Sequence, residues 1–114
     1  MLTIYHNPRC SKSRQTLSLL QDQGLEPEIV LYLETAPSPE AITLLLKKLG
    51  IGARQLLRRG EQEYKDQSLA DTSLSEQQLV AAMAKYPKLI ERPMVINGER
   101  AAIGRPPEAV LEII

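Results

Sequence analysis

Cys10 and His6 are the only cysteine and the only histidine among the 114 residues, and they stand four positions apart. A cysteine thiolate is a nucleophile, and a nearby imidazole can lower the pKa of the thiol as a cation or accept its proton as a neutral base. One cysteine forms no internal disulfide, and one cysteine with one histidine falls short of a four-ligand zinc site. The pair therefore predicts nucleophilic thiol chemistry and not a four-ligand zinc site. A histidine that only caps the loop or bonds a neighbouring side chain is the other interpretation of His6. A buried structural cysteine is the other interpretation, and polar neighbours such as Asn7 and Lys12 disfavour it.

Positive charge surrounds Cys10, although the protein as a whole is neutral, with 14 basic and 14 acidic residues. Residues 1–21 contain Arg9, Lys12 and Arg14 and no acidic residue. Cys10 also directly precedes a predicted helix, whose first backbone N–H groups and dipole stabilise a thiolate and can hold an oxyanion. This segment therefore predicts an activated thiol that reacts with a negatively charged substrate.

The motif Cys10-Ser11-Lys12-Ser13 has a serine where a dithiol redox motif has its second cysteine. The Ser13 hydroxyl can hydrogen-bond a thiolate but cannot resolve a disulfide, so an oxidised Cys10 needs a thiol from another molecule. A tyrosine-phosphatase loop would place an arginine six residues after the cysteine, and that position is Thr16. The motif therefore favours a single-thiol redox reaction over phosphatase chemistry.

The elements that would position Cys10 are a strand, a helix and a second strand. Residues 2–5 have strand composition, residues 11–23 have helical periodicity that ends near Gly24, and residues 28–33 form a second apolar run. A βαβ unit of this length normally has parallel strands and a right-handed crossover. Cys10 then lies where the first connection enters the helix.

The middle of the chain predicts helices. Ser38 is an N-cap candidate followed by proline, and its helix should end at Gly50. Residues 53–57 predict one or two further helical turns. Ser75 has a glutamine three residues later, in capping-box spacing, so a helix is expected from there to about Lys85. Residues 60–74 are polar and predict a loop with a short helical piece.

The end of the chain predicts a hairpin and a last helix. Residues 93–96 and 99–103 are candidate strands separated by Asn97-Gly98, the preferred pair of a type I′ turn. Pro106-Pro107-Glu108 is predicted to open a last short helix over residues 109–113. The order β-α-β, helices, β-β-α is that of a thioredoxin-like α/β fold, in which a βαβ half and a ββα half share one mixed sheet.

Length and composition complete the prediction of the fold class. A length of 114 residues fits a single domain over residues 1–114, with residues 38–90 as a helical insertion between the two halves. Hydrophobic residues make up 43% and charged residues 25%, as in an ordinary globular protein. No apolar run approaches the roughly 20 residues of a membrane span. We expect a cytoplasmic protein, because the N-terminus lacks a signal-peptide pattern and the chain lacks disulfides.

Partners that bind through charge or base stacking are disfavoured. The zero net charge gives no general attraction to nucleic acid or to an anionic membrane. The aromatic residues are four tyrosines, without phenylalanine or tryptophan, which is a poor base-stacking surface. The sequence therefore predicts neither a nucleic acid nor a membrane as partner.

Four segments of the chain resemble the glutaredoxin-linked arsenate reductase family, and its short bacterial members in particular. The resemblance runs from residue 3 to residue 113. The segments are His6-Asn7-Pro8-Arg9-Cys10-Ser11-Lys12-Ser13-Arg14, Leu57-Arg58, Arg92-Pro93-Met94-Val95 and Gly104-Arg105-Pro106-Pro107-Glu108.

The resemblance implies a thioredoxin-like fold with a helical insertion and the reduction of arsenate to arsenite. Cys10 would attack arsenate, and glutathione would act as the co-substrate that reacts with the cysteine–arsenate adduct. A glutaredoxin would then clear the mixed disulfide between Cys10 and glutathione. No tightly bound cofactor is expected.

The resemblance also implies roles for residues that spacing alone leaves open. Arg58, Arg92 and Arg105 match the family's three oxyanion-binding arginines, and a guanidinium suits a tetrahedral oxyanion because it donates hydrogen bonds in a fixed fork. His6 matches the histidine credited with keeping the cysteine ionised. The Arg92–Pro93 bond is a candidate cis peptide. Secondary candidates around the thiol are Ser11, Lys12, Arg14 and Pro93.

Two other functions stay open at this point. The protein can be a glutathione-linked thiol oxidoreductase that acts on protein or peroxide substrates. It can also be a non-catalytic regulator of the Spx type, which binds RNA polymerase through the same fold. Many such regulators carry a C-x-x-C redox switch, so Ser13 and the set of arginines argue against that role.

Overall fold

The computed structural model describes residues 2–114 and divides them into two compact units. The first unit consists of residues 2–35 and 92–114, and the second of residues 36–91. The second unit begins and ends within two residues of the predicted insertion, 38–90. That residues 1–114 form a single domain stays a prediction.

The first unit contains a mixed sheet of four strands in the order β2-β1-β3-β4. β1 pairs with β2 in parallel and with β3 in antiparallel orientation, and β3 pairs with β4 in antiparallel orientation. The predicted α/β class, with a βαβ half and a ββ half in one sheet, is confirmed. The strands are β1 (Leu2–Tyr5), β2 (Glu28–Val30), β3 (Met94–Asn97) and β4 (Arg100–Ile103).

Helix α1 (Ser11–Asp22) is the crossover between β1 and β2. Its Leu20 is fully buried in one core cluster with Ile4 of β1 and Val95 of β3. Burying such a side chain stabilises the fold by about 1.5–3 kcal/mol, so this cluster fixes α1 on the sheet. The core therefore holds the first turn of α1, where Cys10 lies, in a defined place relative to the strands.

The C-terminal segment is a 3₁₀ helix over Pro107–Ile113, which packs against α1 and β4. A short helix that Pro106-Pro107-Glu108 opens was predicted here, with its body over residues 109–113, and the observed helix begins at Pro107. Pro106 and Pro107 supply no backbone N–H, and a segment of seven residues is short enough for the tighter i→i+3 pattern.

The second strand is shorter than predicted, because β2 ends at Val30 and not at residue 33. The carbonyl oxygen of Leu31 accepts hydrogen bonds from the backbone N–H groups of Glu34 and Thr35, each at 2.9 Å. These bonds make a turn, so the apolar residues 31–33 leave the sheet.

The hairpin is present, but its two loop residues are Gly98 and Glu99. Asn97 pairs with Arg100 and is the last residue of β3. Gly98 has φ 62°, and Glu99 is not among the residues with positive φ. A positive φ at the first loop position alone is the pattern of a type II′ turn, so the predicted type I′ turn at Asn97-Gly98 was wrong by one residue.

The second unit is helical, as predicted. The Ser38 hydroxyl accepts the N–H of Ala41 at 3.1 Å, and Ser75 and Gln78 form the predicted capping box. None of the helices within residues 2–114 combines the length and hydrophobicity needed to span a bilayer. The helices of this unit are α2 (Pro39–Leu49), α3 (Ala53–Leu56), α4 (Gln62–Asp66), α5 (Glu76–Lys85) and a 3₁₀ turn (Pro87–Leu89).

Candidate active site

Cys10 is the N-cap residue of α1, and its half-buried side chain lies beside the first backbone N–H groups of the helix. The backbone N–H groups of Ser13 and Lys12 and the guanidinium of Arg92 stabilise the thiolate form of this sulfur. Partial burial works against the thiolate. These three donors and the charge of Arg92 outweigh it, so the pKa of the Cys10 thiol lies below its ordinary value.

Arg105 brings a second guanidinium to the thiol. Its Nη2 atom lies 3.8 Å from Cys10 Sγ as a hydrogen-bond donor, and its Nε donates to the carbonyl oxygen of Arg92 at 2.7 Å. The fold therefore brings together Cys10, Arg92 and Arg105, which are far apart in the sequence. Two of the three predicted arginines lie at the reactive sulfur.

Both of these arginines precede a cis proline, at Arg92–Pro93 and Arg105–Pro106. The first cis bond is the one that the family resemblance implied, and the second was not predicted. Gly104 connects the two segments, since its N–H donates to the carbonyl oxygen of Pro93 at 2.8 Å.

Gly104 makes a close approach that sequence reasoning missed. A Cβ atom there would lie 2.6 Å from Thr16 Oγ1 and 2.8 Å from Pro93 Cγ, which is too short for either contact. The missing side chain lets the backbone pass close to α1 directly before Arg105. A glycine at the end of a predicted strand was the available signal.

His6 and Ser13 form a buried pair next to the thiol. Ser13 is fully buried, and its Oγ lies 2.6 Å from His6 Nδ1 and accepts the N–H of Asn7 at 3.0 Å. Because Oγ accepts from Asn7, its own hydrogen is available for Nδ1, and this assignment leaves the imidazole proton on Nε2. The sequence suggested the Ser13 hydroxyl as a partner of the thiolate. In the structure this hydroxyl bonds His6, and the backbone N–H of Ser13 helps to lower the pKa of Cys10.

The His6 imidazole is held in its neutral form. Burial lowers the pKa of His6, and the positive charge of Arg14 lowers it further. These surroundings disfavour the cation. The contact with Ser13 fits a histidine that bonds a neighbouring side chain, and a role of His6 as a base stays a prediction.

The loop between β1 and α1 is fixed mainly by Asn7, which is only 8% exposed. Its carbonyl oxygen accepts the N–H of Cys10 at 3.0 Å, and its Oδ1 accepts the N–H of Arg9 at 3.0 Å. Arg14 reaches back and donates to the Pro8 carbonyl oxygen at 2.8 Å. Sequence reasoning took Asn7 only as part of an Asn-Pro turn signal and missed that it builds the loop that presents Cys10.

The secondary candidates are divided between structural and solvent-facing positions. Ser11 and Lys12 are exposed, and Pro93 is buried beside Gly104.

A cavity of about 300 Å³ lies between residues 6–9 and residues 31–34. Within residues 2–114, no three His, Cys, Asp or Glu side chains form a group that could hold a metal ion.

Arg58 lies in the second unit, where two carboxylates hold its guanidinium. Its Nη1 is 2.7 Å from Glu91 Oε1, and its Nε is 3.3 Å from Glu61 Oε2. Its backbone N–H donates to the carbonyl oxygen of Leu89 at 2.7 Å. The role of Arg58 in oxyanion binding stays a prediction.

We expect acid to destabilise the protein through His6. Because the pKa of His6 is lowered in the folded state, the unfolded chain takes up its proton first as the pH falls through the ordinary value of 6.5. The stability that depends on neutral His6 is complete above this pH and is lost as the pH falls towards the lowered value. Chemical unfolding between about pH 5 and about pH 8 should show this loss in the wild type.

His6→Asn is the matched variant for this pH effect, because the Asn side chain can still accept from Ser13 but does not titrate. Its free energy of unfolding should change less with pH across the same range. An unchanged pH dependence in this variant would contradict the assignment.

An activated thiol at the start of the first helix, on a mixed four-stranded sheet, defines a thioredoxin-like thiol protein with a single active cysteine. The ArsC family model matches residues 5–113. The chain belongs to the ArsC family.

Two curated relatives match over more than nine tenths of their length. The chain is 58% identical to the uncharacterised protein YfgD of Escherichia coli strain K12, over 97% of this chain and 94% of that protein. It is 50% identical to an arsenate reductase of Haemophilus influenzae, over 97% of both chains. The solved structure of an arsenate reductase from Vibrio cholerae superposes with a TM-score of 0.97 at 52% identity, covering 99% of this chain and 97% of that one.

Proposed function

We propose that the protein reduces arsenate to arsenite, with Cys10 as the nucleophile and with glutathione and a glutaredoxin as the source of electrons. The observation that carries the proposal is the position of one sulfur: Cys10 caps the start of α1, and Nη2 of Arg105 lies 3.8 Å from Sγ. Arg92 and the N–H groups of Ser13 and Lys12 also stabilise the thiolate. Such a set of donors stabilises a thiolate and holds a tetrahedral oxyanion at the same place. The names of the relatives from Haemophilus influenzae and Vibrio cholerae point to the same substrate.

The reaction begins when the Cys10 thiolate attacks the arsenic atom of arsenate, so that a sulfur–arsenic bond forms and water leaves. Arg92 and Arg105 balance the negative charge of the oxyanion that approaches the thiolate. Burial lowers the pKa of Arg92, but contacts with Cys10 and with Tyr32 raise it above its ordinary value, so Arg92 stays a cation.

The second half of the reaction needs another molecule, because the chain contains no second cysteine. The thiol of glutathione reacts with the adduct, and the two sulfurs join as a mixed disulfide while arsenic(V) becomes arsenic(III). The two electrons that arsenic gains are those that the two thiols lose. Glutaredoxin then reduces the mixed disulfide and restores the Cys10 thiolate. Such a cycle needs reduced glutathione, which supports a cytoplasmic location.

Arg58 is proposed as the third guanidinium for the oxyanion on the basis of the family resemblance. Its contacts with Glu61 and Glu91 restrict the conformations of a long side chain. A restricted guanidinium loses less entropy when it binds an anion.

The purified protein should release arsenite when it is incubated with arsenate, glutathione and glutaredoxin. Without glutaredoxin we expect at most one turnover per protein, because Cys10 then accumulates as the glutathione mixed disulfide, which mass spectrometry detects. Without glutathione no arsenite should form. Absence of arsenite from the complete mixture, or unchanged turnover without glutathione, would contradict the proposal.

A glutathione mixed disulfide is the control substrate for this assay. If the protein reduced it with a kcat/KM above that for arsenate, a general glutathione-linked thiol oxidoreductase would be the better description. Stable stoichiometric binding to RNA polymerase without turnover would instead favour a regulator.

A further inference from the structure

The cavity between residues 6–9 and residues 31–34 is lined on one side by the loop that presents Cys10. Arg9 directly precedes Cys10, is exposed and is the last lining residue of that loop. The volume of about 300 Å³ lies at the lower end of small-molecule sites, which span roughly 300–1,000 Å³. All of the lining residues belong to the first unit, and the reaction at the sulfur gives the cavity no role.

Two side chains that line the cavity are more than nine tenths buried, and each has one donor nitrogen left over. His6 is 6% exposed, and its bond to Ser13 occupies Nδ1, which leaves the proton on Nε2. Asn7 is 8% exposed, and its Oδ1 accepts the N–H of Arg9, which leaves the amide group at Nδ2. Within residues 2–114 neither nitrogen forms a hydrogen bond, and neither is sealed from solvent. Because donors of buried side chains are normally paired, these two predict an acceptor that enters through the cavity.

The opposite side of the cavity supplies a negative charge and apolar surface. The turn after β2 brings the exposed Glu34 to the cavity together with Leu31 and Leu33, each 37% exposed. With Arg9 on the loop side, the cavity combines a cation and two N–H donors with a carboxylate. This arrangement fits an α-amino acid group, in which one carbon bears both a carboxylate and an ammonium. A free oxyanion fits less well, because Glu34 repels it.

We propose that this cavity binds the γ-glutamyl end of glutathione, with the α-carboxylate on the two N–H donors and Arg9 and the ammonium on Glu34. The inference rests on the proposed function, which needs a thiol from another molecule at the Cys10 adduct. Adjacent Cα atoms such as those of Arg9 and Cys10 are about 3.8 Å apart, and an extended tripeptide spans roughly 10 Å. A ligand that begins beside Arg9 can therefore present its own thiol to Cys10.

The proposal is tested by NMR titration with S-methylglutathione, whose blocked sulfur cannot react, in the absence of arsenate. The signals of His6 Nε2 and of the Asn7 side-chain amide should shift as the ligand binds. His6 is the single histidine, so its signal belongs to one group. Glu34→Gln and Arg9→Ala should each weaken binding by roughly two- to fivefold, the fold-change expected from the loss of an exposed ion pair.

Two variants with the same changes of charge serve as controls. Glu26→Gln alters an exposed glutamate before β2, and Arg100→Ala alters an exposed arginine of β4. Neither residue lines the cavity, so both variants should bind S-methylglutathione like the wild type. Control effects as large as those of Glu34→Gln and Arg9→Ala, or unshifted signals of the two nitrogens in the wild type, would overturn the proposal.

Altered ligands show which group Glu34 holds. N-acetylation removes the ammonium, so N-acetyl-S-methylglutathione should bind the wild type more weakly, and Glu34→Gln should not weaken its binding further. An ethyl ester at the glycine carboxylate should bind like S-methylglutathione, because that end lies outside the cavity. Equal weakening of the free and the acetylated ligand by Glu34→Gln would overturn the proposal. So would sulfate that displaces S-methylglutathione and binds Glu34→Gln more tightly than the wild type, since that result marks a site for free oxyanions.

Turnover separates this inference from the proposed function. Glu34→Gln should raise KM for glutathione by the factor seen in the binding titration and leave KM for arsenate unchanged. An unchanged KM for glutathione in a protein that reduces arsenate would overturn the inference and leave the proposed function standing. A protein that binds S-methylglutathione in the predicted way but forms no arsenite would contradict the proposed function alone.

Discussion

Cys10→Ser should abolish arsenite formation, lowering kcat/KM by roughly 10⁴-fold or more, as the loss of a covalent nucleophile does in other enzymes. The serine hydroxyl does not ionise near neutral pH, even beside the N–H groups of Ser13 and Lys12. It also cannot join glutathione in a disulfide, so it cannot supply an electron to arsenic. Arsenite measured in the complete assay with glutathione and glutaredoxin reports this loss.

Moving the thiol gives a control for Cys10→Ser. Ser18 is exposed on α1 and lies outside the site, so Ser18→Cys alone should keep wild-type activity. Combined with Cys10→Ser it returns a cysteine to the protein, but without the contacts to Arg92 and Arg105. Recovery of activity in this double variant would show that a thiol anywhere on the surface suffices and would contradict the proposed site.

Arg92→Ala and Arg105→Ala should each lower kcat/KM for arsenate by roughly 10²–10³-fold, the cost of removing one donor to the charge that develops in a transition state. Arg92→Ala should also raise the pKa of Cys10, since the guanidinium of Arg92 is among the groups that lower it. Lysine at either position should restore part of the activity, because it keeps the charge but not the planar fork.

Arg100→Ala is the matched control for the two arginine variants. Arg100 is an exposed arginine of β4 that donates to the carbonyl oxygen of Glu112, and it has no part in the proposed site. Its kinetics should match those of the wild type. If Arg92→Ala or Arg105→Ala behaved like Arg100→Ala in steady-state assays, the oxyanion role of that arginine would be wrong.

Local signals in the sequence were enough to predict most of the elements. The start of α2 follows from a serine N-cap and a proline at the first helical position, and the start of α5 from a capping box. Each of these depends on atoms a few residues apart. The end of β2 depends on the bonds to the Leu31 carbonyl oxygen, and the hairpin loop on the pairing of Asn97 with Arg100. The sequence preferences of turns therefore did not show where β2 ends or which two residues form the hairpin loop.

The candidate site could be predicted only in part for a related reason. The position of Cys10 before a helix is visible in the sequence, and so is its activation by the helix start. Arg92 and Arg105 came from the family resemblance, because they reach the thiol only through the pairing of β3 with its neighbouring strands.

The two hydrogen bonds at the Ser13 hydroxyl bear on how a protein of this kind can evolve. A dithiol reductase needs a cysteine at this position, but here a fully buried oxygen joins the His6 ring to the N–H of Asn7. Sulfur is larger than oxygen and a weaker hydrogen-bonding atom, so Ser13→Cys would disturb the loop that carries the first thiol. A change from this single thiol to a dithiol site would therefore take coordinated changes in the loop as well as one new cysteine.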